Sequence, residues 1–496
     1  MWVERLGCDC MTSPSPMACC RKVFPIPMIA LVLLVLTAQA EDWPQFRGRN
    51  ATGISHDSRN LPIEFSPTKN LRWQAELGEG ISSPIVVAGR VFATALVAPE
   101  KLVVFCFDAA TGVRLWRRDF DTGPLPVITP PNRHASSTPV ADRQRVCVYF
   151  STLGLLMLDA ADGRLLWQRR LPQPYYQFDW GAAQSPVFYD NIVIFNQDDD
   201  LAPFLVAVDK VSGDVVWRTE RPDMLAGYAT PVFCQAHGRT DLVVAGTGML
   251  KGYDPATGGE RWTCNSLPRT IMSSPVVVND VIFVSTDSYG DADRVLKLAL
   301  LDFKDANKDG KLEKSELGPA FTEKFNRGDV NTDGFLEGDE IDNAFQSPAN
   351  MVGGGRTVQA VRGGGDGDVT KTHLVWRLDV PATSQVVSPL VVDGRLMLFK
   401  NGGIANGFST TDGSVISKPW RIGNIGNYFA SPVSGDGKIY LPGENGRVVV
   451  LRDGDKLETL AVNDLGEDCL ATPAIADDHL YFRTLNKLYC FDNTPR

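Results

Sequence analysis

The sequence predicts an all-β fold: an eight-bladed β-propeller of four antiparallel strands per blade, closed by an N-terminal strand, with a small all-α EF-hand pair inserted in blade 5. Three observations lead to this prediction. They are a repeated Ser/Thr-Pro step, a recurring tryptophan, and one long gap between repeats that holds two calcium-binding patterns. The repeat comes first, because a fixed period must be recognised before domains are counted.

A serine or threonine followed by proline precedes an apolar strand eight times along the chain. Successive prolines are 41 to 55 residues apart, except for one interval of 114 residues. A period near 45 residues is typical of radial or stacked repeats. The eight hydroxyl residues are Ser83, Thr138, Ser185, Thr230, Ser274, Ser388, Ser431 and Thr472. Because they recur in every unit, we interpret them as local backbone hydrogen-bond partners and not as nucleophiles.

Each unit contains four short strand patterns separated by turns. In the first unit they are Pro84–Ala88, Val91–Thr94, Leu102–Asp108 and Val113–Trp116. The tryptophan of the fourth strand recurs in later units as Trp167, Trp217, Trp262, Trp376 and Trp420, and Leu460 replaces it in the seventh.

The eighth unit ends without a fourth strand, whereas Leu71–Trp73 stands unpaired before the first unit. We expect this N-terminal strand to complete the last blade, since a closed ring leaves no dangling edge. An open solenoid is the structural alternative.

Units such as Asp159–Trp167 and Asp254–Trp262 resemble the repeat of pyrroloquinoline-quinone (PQQ)-type propellers. That family includes quinoprotein alcohol dehydrogenases and the lipoprotein propeller of outer-membrane protein assembly. The opening segment Asp42–Gly48 looks like the start of a secreted bacterial subfamily, some members of which carry inserted EF-hands. The resemblance covers residues 42 to 496 and implies the fold, but it leaves function to be argued from a site.

Two twelve-residue calcium-binding patterns lie in the long gap, and their starts are 24 residues apart. Each supplies side-chain oxygens at positions 1, 3, 5, 9 and 12, glycine at position 6, and a backbone carbonyl at position 7. The predicted ligands are Asp305, Asn307, Asp309, Lys311, Glu313 and Glu316 in the first loop, and Asp329, Asn331, Asp333, Phe335, Glu337 and Glu340 in the second. The sequence therefore predicts two Ca²⁺ sites in an EF-hand pair at 287–355, and a solvated acidic surface loop is the alternative.

Two details of the pair follow from its residues. Leu312 and Leu336, at position 8 of the two loops, should pair across a short β contact. The first loop also carries Lys308, Lys311 and Lys314, whereas the second has no basic residue. We therefore expect the second loop to bind calcium more tightly.

The N-terminus reads as a targeting segment and not as part of the fold. Arg21-Lys22 precede an apolar run, and Ala38-Gln39-Ala40 is a small-x-small cleavage site. We predict a signal peptide at 1–40, with a start-site extension at 1–16, and an uncleaved membrane anchor is the alternative. No later segment is apolar enough to span a membrane, so export to the periplasm or the exterior is expected.

Charge and cysteine content exclude other classes of protein. The chain has a formal net charge of −10 and no basic stripe, which argues against nucleic acid as a partner. The six cysteines after the predicted leader form no CxxC pair and are expected to be small buried hydrophobes, with disulfides as the alternative.

The predicted domains are a propeller at 41–286 and 356–496 and the insertion between them. The long irregular segments concentrate on the face that carries the insertion: Val97–Lys101, Phe120–His134, Pro172–Ala183 and Gln197–Pro203. Elaborated loops on a rigid scaffold are where binding usually occurs. We therefore expect the ligand, a protein or a glycan, on this face.

Several residues on that face have two interpretations each. The aromatic run Tyr175–Trp180 could stack against a sugar or peptide, or pack over a blade junction. His134 could be an acid–base group or a solvated histidine. Asp198–Asp200 could bind a cation or form a solvated acidic loop. The segment Gly363–Asp368 is interpreted as a long hairpin within blade 5.

The sequence predicts an exported calcium-binding scaffold with no catalytic residues. The alternative is a PQQ-dependent dehydrogenase (quinoprotein) that uses the central funnel. The resemblance would then imply adjacent cysteines near the cofactor, but the one vicinal pair, Cys19-Cys20, lies in the predicted leader. We therefore do not expect PQQ.

Overall fold

The fold is an eight-bladed β-propeller, as the repeat predicts. The computed structural model describes residues 41–380, 384–454 and 456–493, so the predicted leader lies outside the described residues. Eight four-stranded antiparallel sheets form the blades, and one of them gains a fifth strand. Within these ranges no helix is both long and apolar enough to cross a bilayer.

The strands follow the predicted order of four per unit. In chain order they are β1 (Leu71–Glu76), β2 (Ile85–Val87), β3 (Arg90–Ala98), β4 (Lys101–Asp108), β5 (Arg114–Asp121), β6 (Val140–Ala141), β7 (Arg145–Phe150), β8 (Gly154–Asp159), β9 (Leu165–Arg169), β10 (Val187–Tyr189), β11 (Ile192–Gln197), β12 (Phe204–Asp209), β13 (Val215–Glu220), β14 (Val232–Ala236), β15 (Arg239–Gly246), β16 (Met249–Tyr253), β17 (Glu260–Cys264), β18 (Val276–Val278), β19 (Val281–Ser288), β20 (Leu312–Glu313), β21 (Phe335–Leu336), β22 (Gly355–Arg362), β23 (Gly367–Asp368), β24 (Leu374–Leu378), β25 (Leu390–Val392), β26 (Arg395–Lys400), β27 (Ile404–Ser409), β28 (Val415–Arg421), β29 (Val433–Gly435), β30 (Lys438–Pro442), β31 (Arg447–Arg452), β32 (Glu458–Asp464), β33 (Ala474–Ala476), β34 (His479–Arg483) and β35 (Lys487–Phe491).

The blades follow one another along the chain. Blades 1 to 3 are β2–β5, β6–β9 and β10–β13, and blade 4 is β14–β17. Blade 5 is β18, β19, β22 and β24, blades 6 and 7 are β25–β28 and β29–β32, and blade 8 joins β33–β35 to β1. In that last sheet Trp73 lies opposite Cys490 and Glu76 opposite Lys487. We call the face with the inter-blade loops and the loops between second and third strands the upper face.

Tryptophan links five of the eight blades to the next blade. The Trp116 indole N–H of blade 1 donates to the carbonyl of Ala160 in blade 2 at 3.2 Å. A Cβ on Gly163, whose φ is +71°, would lie 2.5 Å from the same indole, so only glycine lets the ring lie flat there. The same pairing joins Trp73 to Gly112, Trp167 to Gly213, Trp217 to Gly258, and Trp376 to Gly413. The repeat thus encodes contacts between neighbours.

Blade 4 differs, because the Trp262 indole donates within its own blade, to Asp241 at 2.8 Å. Here β23 of the segment between β22 and β24 crosses over and pairs in parallel with β17, with Gly367 opposite Trp262. The prediction that Gly363–Asp368 belongs to a long hairpin between the third and fourth strands of blade 5 is confirmed, because β22 and β24 pair antiparallel on either side of it. The glycine-rich chain in addition covers the outer edge of blade 4.

The predicted irregular segment Val97–Lys101 is also wrong. Strand β3 continues to Ala98 and β4 begins at Lys101, so only a tight turn lies between them. The register continues with Ala98 opposite Lys101. The longer loops of blades 2 and 3 remain irregular.

The segment from Trp43 to Ser55 crosses the central channel and bonds to several blades. Trp43 exchanges two backbone hydrogen bonds with Val86 of β2 at 2.7 and 2.9 Å, and Gly53 and Ser55 bond to Ser434 of β29. The Asn50 side chain exchanges two hydrogen bonds with Phe233 of β14. Because Val86 and Ser434 lie in the middle of innermost strands, this segment closes the channel below the upper face. We call residues 43–55 the plug.

The plug is densely buried. Trp43 is 1% exposed and Arg47 is fully buried. Arg47 donates to the carbonyl of Pro389 in blade 6 at 2.7 Å, and burial lowers the pKa of its guanidinium to about 9. The chain then continues along blades 7 and 8, where Phe65 stacks on Phe482 at 5.2 Å, before it enters β1.

The segment between β19 and β22 is helical. It contains α1 (Leu296–Phe303), α2 (Lys314–Leu317), α3 (Thr322–Gly328) and α4 (Asp339–Ala344), with 3-10 turns at Pro319–Phe321 and Pro348–Met351. A fifth helix, α5 (Thr370–His373), precedes β24. We call residues 289–354 the insertion. Its small core contains Leu300, Leu312, Leu317, Phe321, Phe325, Leu336, Ile341, Ala344 and Phe345.

The six cysteines of the described chain are buried, and none of them forms a disulfide. This confirms their interpretation as small hydrophobes and not as disulfide partners.

Candidate functional site

The eight Ser/Thr-Pro hydroxyls encircle the upper end of the channel. The backbone N–H of Ser83 donates to Thr138 Oγ1 of the next blade at 3.0 Å, and that of Thr138 donates to Ser185 Oγ at 3.0 Å. Four further junctions have the same bond, at Thr230, Ser274, Ser388 and Ser431. The predicted backbone bonding is therefore confirmed, but the bonds join blades and are not local. In these six bonds the hydroxyl is the acceptor, so its own proton can still be donated.

A cavity of about 500 Å³ lies above this ring of hydroxyls. Phe46 of the plug closes it from below, so the cavity opens only towards the upper face. Its walls are mostly apolar and include Tyr228, Met272 and Phe429. Enclosed apolar cavities with a few polar groups are the usual form of ligand sites, with volumes of roughly 300–1,000 Å³.

The insertion forms one side of the cavity. Leu296, Ala299 and Phe303 of α1 contribute to the lining, as do Ala349 and Asn350 after α4. Helix α1 begins after a turn at Asp291–Arg294 and ends at Phe303, and its C-cap Lys304 directly precedes the first residue of the first calcium-binding pattern, Asp305. The first helix of the insertion thus lines the cavity and leads directly into the first predicted calcium loop.

The aromatic run Tyr175–Trp180 joins the ring to the insertion. Tyr175 meets Phe321 edge to face at 4.9 Å between centroids, and Phe178 meets Phe303 at 5.2 Å. Phe178 and Trp180 also line the cavity. Both interpretations of this run therefore have a basis, because it packs against the insertion and presents aromatic surface at the mouth.

Asp198–Asp200 does not form the solvated loop that was predicted. Asp198 is fully buried and accepts two hydrogen bonds from Arg221 Nη1, at 2.7 and 2.8 Å. Asp199, 2% exposed, accepts the backbone N–H groups of Leu201 and Ala202. These carboxylates are already occupied as partners of protein donors, so the alternative of a cation site there has no support either.

Asp200 lies in the cavity wall, where it accepts the N–H of Gln177 at 2.8 Å. Burial raises the pKa of this carboxyl to about 6. Two cations act on it electrostatically, Lys324 of the insertion and Arg269 of the loop before blade 5. Burial lowers the pKa of both cations.

Arg269 was missed by sequence analysis. Its side chain is 7% exposed and lines the cavity. Among the described residues it forms neither an ion pair nor a side-chain hydrogen bond, and its Nη1 is buried without a partner. Gln177, 2% exposed, likewise has an unpartnered Nε2. No motif marks these residues, because each stands alone in a loop of irregular sequence.

His134 is neither freely solvated nor part of a catalytic pair. It is half-buried, its Nδ1 has no partner within the described chain, and desolvation lowers its pKa. We assign it no role.

The first predicted calcium loop is curled around its own acidic side chains. Asp305 Oδ2 accepts the N–H of Gly310 at 2.8 Å, and Asp309 Oδ1 accepts that of Lys311 at 2.9 Å. The carboxylate of Glu316 folds back over the loop, where it accepts the N–H groups of Ala306 and Glu313, both at 2.8 Å. Gly310 has a φ of +81°, which favours glycine at position 6.

The second loop repeats this arrangement. Asp329 accepts the N–H of Gly334 at 3.2 Å, and Glu340 reaches Val330 and Glu337 at 3.2 and 3.4 Å. The two loops pair through β20 and β21, with Leu312 opposite Leu336. That contact is the one predicted from position 8.

The donor set of each loop fits a hard cation of calcium's size. Within the described ranges no three acidic, histidine or cysteine side chains converge into a metal cluster by themselves. Each loop instead mixes aspartate, asparagine, glutamate and backbone oxygens, which is how calcium reaches six to eight ligands. The Lys311 ammonium of the first loop lies 2.8 Å from Glu337 of the second. The positive charge of Lys311 therefore lies close to the acidic side chains of both loops.

The cavity fits the quinone cofactor poorly. PQQ is a planar tricarboxylate, whereas the lining offers one cation without an ion-pair partner and no cysteine. Asp200 and Asp287 add negative charge to the same wall, although Asp287 pairs with Arg356 at 3.0 Å. The residues present therefore do not form a site for such an anion.

Solved structures share this architecture at low sequence identity. BamB from Moraxella catarrhalis is 12% identical, with a TM-score of 0.52 over 86% of this chain and 99% of its own. A quinohemoprotein alcohol dehydrogenase from Comamonas testosteroni is 13% identical, with a TM-score of 0.51 over 92% and 81% of the two chains. The computationally designed Ika8 protein is 11% identical, with a TM-score of 0.50 over 88% and 98%. These likenesses show the fold alone.

No curated protein sequence matches the chain significantly. The model of one family does match, in three overlapping segments at residues 57–197, 176–301 and 204–495. Together the segments span nearly the whole propeller. The chain therefore belongs to the family described as outer membrane protein assembly factor BamB.

Proposed function

We propose that this protein is an exported, calcium-binding scaffold that holds a protein or glycan partner on its upper face. The observation that carries the proposal is the position of the insertion. Its two loops have complete calcium-binding patterns with curled backbones, and its first helix and last turn line the mouth of the central cavity. Calcium bound in the loops would hold the insertion in place where a partner would bind.

Two further observations support an extracytoplasmic role. The predicted leader at 1–40 has the pattern of a signal peptide, and the family description names an outer membrane assembly factor. Extracellular modules of the EF-hand type bind calcium with dissociation constants of roughly 10⁻⁴–10⁻³ M. Calcium outside the cytoplasm is commonly about 1 mM, so both sites would be largely filled and structural.

Calorimetric titration with calcium tests the metal sites. We expect two ions per chain in the wild type, one in Glu316→Gln or in Glu340→Gln, and none in the double variant. Glu323→Gln is the matched control, since Glu323 is an exposed residue of α3 outside both loops. A wild-type protein that binds no calcium, or a double variant that still binds two ions, contradicts the proposal.

Partner capture tests the scaffold role. Full-length mature protein should retain a partner from the exported fraction, and the double variant or a chelator should weaken that retention. Glu323→Gln should behave as the wild type. Equal capture by all samples would show that calcium does not shape the binding face.

A quinoprotein dehydrogenase is the second candidate, supported by the fold of the Comamonas testosteroni enzyme. The poor fit of the cavity to a tricarboxylate weighs against it. Purified protein with a quinone absorbance band and dye-linked alcohol oxidation would replace the scaffold proposal with this one.

A further inference from the structure

The cavity contains a buried cation that has no ion-pair partner within the described chain. Arg269 lines the cavity, its side chain is 7% exposed, and its Nη1 has no hydrogen-bond partner among the described residues. The nearby carboxylate of Asp200 also interacts with Lys324, and Asp287 is paired with Arg356. A buried donor without a partner is costly unless a ligand supplies an acceptor.

The neutral polar groups of the lining are also donors. Gln177 Nε2, Tyr228 Oη and Ser288 Oγ have no partner among the described residues. Below them six of the eight Ser/Thr hydroxyls of the ring accept a backbone N–H bond, and a hydroxyl that accepts one such bond can still donate its own proton. A ligand for this wall must therefore supply acceptors.

The remaining surface requires an apolar body. Phe178, Trp180, Met272 and Phe429 line the cavity, and Phe303 is 54% exposed at its mouth. Because Phe46 closes the lower end, a long chain cannot thread through the ring. The cavity can hold a compact molecule or the last residue of a chain.

We propose that the central cavity binds an apolar monocarboxylate, with the carboxylate at Arg269 and the apolar body between the aromatic side chains. Such a group is found in free aromatic acids and in polypeptides that end in an apolar residue. The inference rests on the proposed function in placing the ligand on the upper face, and it adds the chemical class of that ligand.

Calorimetry with matched probes tests this class. The free-acid probe is 1-naphthylacetate, and the peptide probe is an acetylated tetrapeptide ending in phenylalanine, used as the carboxylate and as the amide. Loss of a charge-assisted contact is expected to weaken binding about tenfold to a hundredfold. The peptide amide should therefore bind at least about tenfold more weakly than the acid.

Variants locate the binding to the cavity. Arg269→Gln should bind the peptide acid and the peptide amide with equal affinity. Met272→Trp should prevent binding of all probes, because the larger side chain would fill part of the cavity. Arg362→Gln is the matched control, since Arg362 is exposed at the opposite face beside Asp280. Thermal unfolding midpoints equal to that of the wild type show that each variant is folded.

Each outcome decides a specific point. Binding of 1-naphthylacetate alone identifies a free acid as the source, and tighter binding of the peptide identifies a chain terminus. Equal affinity for acid and amide, an unaffected Arg269→Gln variant, or binding of PQQ in preference to both probes overturns the inference. Calcium titrations of the same samples separate it from the proposed function. Calcium binding without carboxylate binding overturns only this inference, whereas the reverse result overturns only the calcium proposal.

Discussion

Removal of calcium should loosen the insertion and leave the ring intact. The insertion has a small core of nine buried side chains, whereas each blade shares its core with two neighbours. Its two loops hold most of their carboxylates at the surface. Repulsion between these carboxylates is relieved when a divalent cation binds, so the folded insertion is favoured by calcium.

The magnitude follows from mass action. At about 1 mM calcium, a site with a dissociation constant of roughly 10⁻⁴–10⁻³ M stabilises the folded insertion by about 0.4–1.4 kcal/mol. Two independent sites contribute about 0.8–2.8 kcal/mol, which changes the opening equilibrium of the insertion by roughly 4- to 120-fold.

Amide hydrogen exchange measures this opening equilibrium directly. Chelation should accelerate exchange in α1, α3 and α4 by the calculated factor, while β7 and β30 in distant blades keep their rates. Glu316→Gln and Glu340→Gln should each show a chelation effect of roughly 2- to 11-fold, because one site remains. If the insertion exchanges at the same rate with and without calcium, or if the double variant still responds to chelation, the reasoning is refuted.

Three other experiments test separate parts of the structure. In calcium titrations Glu316→Gln, which keeps the second loop, should bind its one ion more tightly than Glu340→Gln, which keeps the first loop, because the lysines of the first loop oppose the cation. The opposite order of affinities would show that Lys311 acts mainly on Glu337. Trp116→Ala should lower the free energy of unfolding by about 3–5 kcal/mol in denaturant titrations. Trp420→Ala should lower it by less, since Trp420 is only half-buried. Equal losses in the two variants would contradict the inter-blade role of Trp116. The pKa of Asp200 is about 6 in the folded protein, above its ordinary value of 3.8. The free energy of unfolding of the wild type should therefore rise by about 1 kcal/mol relative to that of Asp200→Asn as the pH falls from about 7 to about 5. A difference between the two proteins that stays constant with pH would contradict the burial of that carboxyl.

The periodic parts of the chain were predictable and the irregular parts were not. A recurring Ser/Thr-Pro step and a four-strand unit predict the blades, because strand alternation is a local property of sequence. The contact between Trp116 and Gly163 was missed because each residue was compared with its equivalents in other repeats, whereas the contact joins adjacent repeats. The predicted locality of the hydroxyl bonds failed for the same reason.

The plug and the cavity show a second limit. Trp43–Ser55 has no periodicity, and its bonds reach blades that lie up to about 380 residues further along the chain. Arg269 has no repeat equivalent or motif, and the burial of its Nη1 without a hydrogen-bond partner exists only in the folded protein. Sites built from single residues of several loops are therefore visible only when the loops converge.

The position of α1 connects the calcium loops with the cavity. Phe303 is the last residue of α1 and stands at the cavity mouth, and Asp305 is the first predicted calcium ligand. One residue, Lys304, separates them, so a loop that closes around calcium would also fix the end of the helix that forms the wall. Any ligand that contacts Phe303 or Ala299 then favours the same ordered insertion that calcium favours. By linkage the two affinities must rise together, each by the same factor. Under the proposed function the insertion is therefore a part of the binding face whose order depends on calcium, and not a separate calcium store attached to the ring.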